Sequence, residues 1–191
     1  MNKSEKGFTL IELLVVLALV AILSVVVILT LNPAELLKQA RDSNRTSDLS
    51  TLKSAISLYM ADVNTPTIGT SGLCYVSASA ASAVANCGVF GSSTLTVTST
   101  NAGVRNVNGT GWLPVNFSAI SSGAPIGQLP VDPVNNLTYY YAYGVTGTNQ
   151  LFEIDAKMES TKYGPGGGAD IVSTDGGSNS GWFETGTSLS N

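Results

Sequence analysis

Residues 6–33 read KGFTLIELLVVLALVAILSVVVILTLNP, and the fold turns on them. From Phe8 to Leu31 the stretch is hydrocarbon apart from Glu12 and the mild hydroxyls of Thr9, Ser24 and Thr30. A helix of that length reaches about 36 Å, enough to cross a bilayer. One acidic side chain at the centre of a bilayer helix costs roughly 2.5–3.5 kcal/mol even on the lenient insertion scales. Glu12 therefore needs a compensating partner, and finding it is the route to function. The leader MNKSEKG is short and polar and carries Lys3 and Lys6. Positive charge there keeps that end in the cytoplasm and sends the rest of the chain outward. A secretory signal would have a shorter apolar core ending in a small-x-small site, and LTLNPAELLK offers no convincing one. A plain signal anchor fits the length but gives no reason for Glu12.

KGFTLIELLVV resembles the signature of type IV prepilins: a short basic leader ending in glycine, then Phe-Thr-Leu-Ile-Glu and an apolar helix. The resemblance covers about the first 30 residues. It implies that a prepilin peptidase cuts between Gly7 and Phe8 on the cytoplasmic face, and that the new amino group of Phe8 is methylated. Glu12 becomes the fifth residue of the mature chain, where the family has its glutamate. In a helical filament, Glu12 of one subunit can then pair with the Phe8 amine of a neighbour. Such pairing removes two unmatched charges from an apolar medium, and acts more as a register device than as a source of stability. On this reading Glu12 is an assembly residue. The family also implies partners: other copies of the subunit, the inner-membrane assembly machinery, and membrane lipid before assembly. Many type IV pilins have a helix-breaking proline where this chain has Leu29, and here Pro33 comes four residues later.

Residues 32–63 continue as an amphipathic helix. Leu49, Leu52, Ile56, Tyr59, Met60 and Val63 follow the spacing of one helical face. Pro33 should kink or loosen the helix near the junction. KQARDSNRTSD, residues 38–48, mixes its cations with aspartates and reads as a solvated face. Helix signals end at NTPTIGTSG, 64–72. Beyond it the chain is rich in Gly, Ser, Thr and Asn, and carries three basic against seven acidic residues. That balance offers no general attraction to nucleic acid.

STLTVTST (93–100), LTYYYAYGV (137–145) and QLFEIDAKME (150–159) read as strands, the last two joined by a hairpin turn at TGTN. In the last strand Phe152, Ile154, Ala156 and Met158 alternate with Glu153, Asp155, Lys157 and Glu159, which puts the charged set on an outward face. Trp112 and Phe117 read as core residues. The expected fold is α+β and pilin-like, a long N-terminal helix whose C-terminal half packs against an antiparallel sheet. The expected organisation is a cleaved leader at 1–7, an apolar helix at 8–31, an amphipathic half at 32–63 and a β-rich head at 64–191. LPVDPVNN, 129–136, adds a shorter similarity to pseudopilins of type II secretion, and by itself reads as a turn set by two prolines and an Asx motif.

Cys74 and Cys87 lie 13 positions apart. In an exported protein the first expectation is one disulfide, worth roughly 3 kcal/mol in the chain-entropy model; free thiols in a reducing compartment are the alternative. With no histidine anywhere and no Gly-x-Ser-x-Gly elbow, the sequence does not read as an enzyme. No cofactor is expected, with one candidate exception. The loop GPGGGADIVSTDGG offers Asp170 and Asp175 among hydroxyls and carbonyls, oxygen donors that suit calcium, although the spacing is not that of an EF-hand. Pseudopilins that hold calcium in a C-terminal loop make the comparison relevant; an ordinary solvated turn is the plainer reading.

Three functions follow. The first is a structural subunit of a type IV pilus or related filament, a single-pass membrane precursor that becomes part of an extracellular filament. The second is a minor pseudopilin of a secretion or DNA-uptake machine. The third, from another class, is an uncleaved membrane-anchored binding domain using Trp112 or the 170–177 loop.

Overall fold

A computed structural model describes residues 7–78, 95–98, 100–146 and 151–189, apart from the side chains of Leu29 and Leu31. The chain divides into two units, Met1–Leu37 and Lys38–Asn191.

In the first unit, helix α1 (Leu10–Leu31) carries its described large side chains exposed on every side, with no buried stripe among them. Its stretch Leu10–Ile28 is long and apolar enough to cross a membrane by length and composition. The hydroxyls of Ser24 and Thr30 donate to the carbonyls of Val20 and Val26 one turn back, which satisfies them without solvent. The helix ends at Asn32, whose φ of 41° lies in the left-handed region that asparagine tolerates at helix ends. Helix α2 (Pro33–Asp62) starts on the next residue, with proline in the first helical position, where its missing N–H costs nothing. The interruption expected at Pro33 is thus a stop and a restart, with the Asn32 carbonyl accepting from the N–H groups of Glu35 and Leu36.

In the second unit, α2 buries Leu49, Leu52, Ala55, Ile56 and Tyr59, close to the apolar face read from the sequence. They pack with Trp112, Phe117 and Leu129, and with one face of a five-stranded sheet. The strands are β1 (Leu73–Val76), β2 (Thr96–Thr98), β3 (Tyr141–Thr146), β4 (Leu151–Ala156) and β5 (Phe183–Gly186), in spatial order β2-β1-β3-β4-β5. All neighbours are antiparallel except β1 and β2. The arrangement is α+β and pilin-like. Trp112 and Phe117 are core residues as expected, and the Trp112 indole N–H donates to the Pro130 carbonyl.

The strand expected at 93–100 is β2, shorter than foreseen, and the strand expected at 137–145 starts only at Tyr141. The connection between β3 and β4, residues 147–150, lies outside the described residues, as do Cys87 and most of the loop before β2. β1 and β5 were not anticipated.

The main correction concerns the sheet's second face. Alternation along β4 was read as apolar-in, charged-out, yet Glu153 and Asp155 are both fully buried. Cys74, Val76, Tyr140 and Ala142 form a second cluster with Leu95, against which Trp182 packs. Loop segments cover the face that an alternating strand would ordinarily give to water.

Candidate functional site

The start of α1 is built by a capping box. Thr9 is the N-cap, and its hydroxyl oxygen accepts the N–H of Glu12 at 3.3 Å. The Glu12 carboxylate reaches back, its Oε2 accepting the Thr9 N–H at 2.8 Å and the Thr9 hydroxyl at 2.7 Å. Two backbone donors that a helix N-terminus leaves unmatched are thereby satisfied reciprocally. Glu12 is three residues after Thr9, the Ser/Thr-x-x-Glu spacing that marks a capping box in sequence, so this role was legible and went unread. Even a plain anchor thus has a use for Glu12. Gly7 and Phe8 precede the cap in irregular backbone, and Phe8 is exposed.

The second unit holds two buried acidic clusters. In the first, Arg45 is completely buried on α2. Its Nε and Nη2 grip both oxygens of Asp132 at 2.6 and 2.9 Å, Nη1 donates to Asp42 at 2.8 Å, and Nη2 also reaches Glu159 at 2.9 Å. Arg41 forms a further ion pair with Glu159. The carboxylates are satisfied from other directions too. Asp42 accepts the N–H groups of Glu159 and Ser160, and Asp132 those of Val134 and Asn135. Burial pushes the Glu159 carboxyl up, but the hydrogen bonds from Arg41 and Arg45 outweigh it and hold it below the usual glutamate range. Residues 38–48 are therefore not simply a solvated face: Asp42 and Arg45 join the helix to the 129–136 turn and to the segment after β4. The Asx turn read at LPVDPVNN is present, and Asp132 also has this second use.

In the second cluster, Glu153 and Asp155 on β4 meet Glu184 on β5, and one ligand oxygen of each lies within 4.8 Å of the others. Burial first, then the like charges of Glu153 and Glu184, push the Asp155 carboxyl well above the usual range. Glu184 is pushed up to about 7, by burial and then by the charges of Glu153 and Asp175.

The sequence's own cation candidates lie in the adjoining loop. Asp170 accepts the N–H groups of Gly166, Val172 and Ser173 at 2.7, 2.9 and 2.9 Å. Those N–H groups, Ser173's foremost, hold its carboxyl down at about 2. Asp175 accepts the N–H groups of Gly177 and Glu184 at 2.9 and 2.7 Å. Neither belongs to the three-carboxylate cluster, of which the sequence reading had placed Glu153 and Asp155 in solvent. Cys74 is fully buried in β1. Trp112 is 2 % exposed and presents no surface platform for a ligand.

No curated protein and no solved structure matches the chain. Residues 2–28 match the family model of the prokaryotic N-terminal methylation motif, so the apolar start of this chain carries the prepilin signature shared by type IV pilins and pseudopilins.

Proposed function

We propose that the chain is a structural subunit of a type IV pilus or pilus-like filament, made as a membrane-anchored precursor, cut after Gly7, methylated on Phe8 and polymerised through its apolar helix. The observation that carries this is the methylation motif over residues 2–28, a span that includes Gly7, Phe8 and Glu12. The motif implies processing by a peptidase and assembly into pilus-like filaments, and it marks structural subunits rather than a class of enzyme. A second reading, a minor pseudopilin of a secretion or DNA-uptake system, draws support from the Leu-Pro-Val-Asp-Pro turn at 129–133. On either reading the head domain is exported, and Cys74 forms a disulfide with Cys87 there.

Two variants separate the two uses of Glu12. Glu12→Gln keeps the reach back to the Thr9 N–H, since glutamine serves in a capping box, but removes the charge. Glu12→Ala removes both. The proposal expects sheared surface material from wild-type cells to contain a chain that begins with N-methylated Phe8, and expects both variants to lose filaments. Filaments retained in Glu12→Gln and lost in Glu12→Ala would make the residue a helix cap and not a charge partner. Wild-type protein found only with Met1 intact, in the membrane fraction, would favour an uncleaved anchored domain.

A further inference from the structure

Asp155 stands opposite Glu184 in the β4–β5 register, and Glu153 lies on the same face of β4 two residues earlier. Glu153 and Asp155 are 0 % exposed and Glu184 is 2 % exposed. Both Asp155 oxygens are buried and accept no hydrogen bond. A carboxylate in that condition is rare in a folded protein, because removing it from water is costly unless something positive or protic takes the water's place. The adjoining loop is fitted to the cluster. A Cβ on Gly177 would collide with the Glu184 carboxylate, and the Asn179 N–H donates to both Glu184 oxygens at 3.1 and 3.2 Å. Asp175 holds the Glu184 backbone through its N–H.

The geometry points to a binding site for one hard divalent cation, calcium, held by the carboxylates of Glu153, Asp155 and Glu184. The donors are all oxygen, and the chain has no histidine to favour a softer metal. Calcium sits 2.3–2.6 Å from each of six to eight oxygens in irregular geometry, so a single ion reaches donors spread over 4.8 Å. Magnesium demands a near-ideal octahedron at about 2.0–2.1 Å and gives up its water reluctantly, which suits a buried cluster on two strands less well. Glu184 is oriented by Asn179 and Gly177, the kind of outer support that fixes a ligand before the ion arrives. The ion would take the three buried carboxyls as its ligands and so tie β4 to β5. Extracellular calcium modules typically bind in the range of about 0.1–1 mM, so the site would fill once the head leaves the cytoplasm. That timing rests on the proposed export; the binding does not.

The test uses the full chain in detergent micelles, freed of metal with a chelator and then titrated with calcium chloride by calorimetry. One calcium per chain is expected, with Asp155→Asn weakening binding at least tenfold and Asp170→Asn changing it less than threefold. No binding up to 5 mM calcium (about five times the top of the extracellular range) would overturn the assignment. So would binding that survives Asp155→Asn. Should Asp155→Asn fail to fold, terbium on the wild-type chain decides. Tyr140, whose ring lies 5.2 Å from that of Trp182 and which feels the Asp155 charge, should sensitise terbium emission that calcium then quenches by displacement. Absence of calcium-displaceable emission would sink the proposal.

Discussion

The head domain buries two groups of three carboxylates and treats them in opposite ways. Asp42, Asp132 and Glu159 surround Arg45, and backbone N–H groups supply further donors. Glu153, Asp155 and Glu184 meet one another instead, and the charges acting most strongly on Asp155 are negative. A buried carboxylate needs a positive or protic partner. In the first group the chain supplies that partner from its own sequence; in the second the Asn179 N–H serves Glu184 while both Asp155 oxygens accept no hydrogen bond, and there we assign the role to an ion from outside. The buried heart of the first cluster needs no ion from the medium, while the second makes the stability of the β4–β5 edge depend on the medium.

The comparison breaks most visibly at Arg45. Replacing it with leucine leaves three buried carboxylates without their central cation, and thermal unfolding should show a loss of about 3–5 kcal/mol or failure to fold. A loss under about 1 kcal/mol would mean that the cluster is wetter than its complete burial implies. In the second cluster the sign reverses. In chelator, Asp155→Asn removes a carboxyl that ionises freely in the unfolded chain but is kept from doing so by burial and by Glu153 and Glu184, and should stabilise the chain on the order of 1 kcal/mol. With calcium added, the same variant should fall below wild type, and a variant that destabilises in both media would end the contrast.

Acidity sharpens the same contrast. Glu159 is held below its ordinary value of 4.5, so its contribution is complete above that pH and is lost as pH falls further. Glu184 goes from 4.5 to about 7, so its cost is absent below 4.5 and grows as pH rises to 7. In chelator the melting temperature should decline from pH 4.5 to 7, and Glu184→Gln should flatten that decline. The smallest effect is expected at Arg41, a partly exposed arm of the first cluster. Arg41→Gln should lower the melting temperature by a fraction of the Arg45 effect, and by less as salt is added.

What the sequence showed and hid follows from which physical signal each part carries. An unbroken apolar run and a helical stripe at Leu49, Leu52, Ile56 and Tyr59 are local patterns, and the structure keeps them. The buried acids were misread because alternation along β4 records two faces but not what covers the second. The covering comes from a glycine-rich loop and from Trp182, distant in sequence. Arg45 was misread for a related reason: its partners Asp132 and Glu159 lie 87 and 114 residues away. β1 and β5 are four residues each, too short to stand out among turn residues. The capping box differs in kind. Its signal was fully local, in Thr-Leu-Ile-Glu, and the membrane cost of Glu12 drew attention away from it.

The uniform exterior of α1 has one more consequence. A helix with a single greasy stripe has a preferred way up, and turning it exposes a penalty. One that is apolar around its whole circumference has no such preference, and hydrocarbon tails and the flanks of identical helices are nearly equivalent surroundings for it. Moving such a helix from lipid into a bundle of its own kind releases little hydrophobic free energy in either direction. Growth and shedding of the proposed polymer would then be a near-balanced partition, governed by how many subunits the membrane holds.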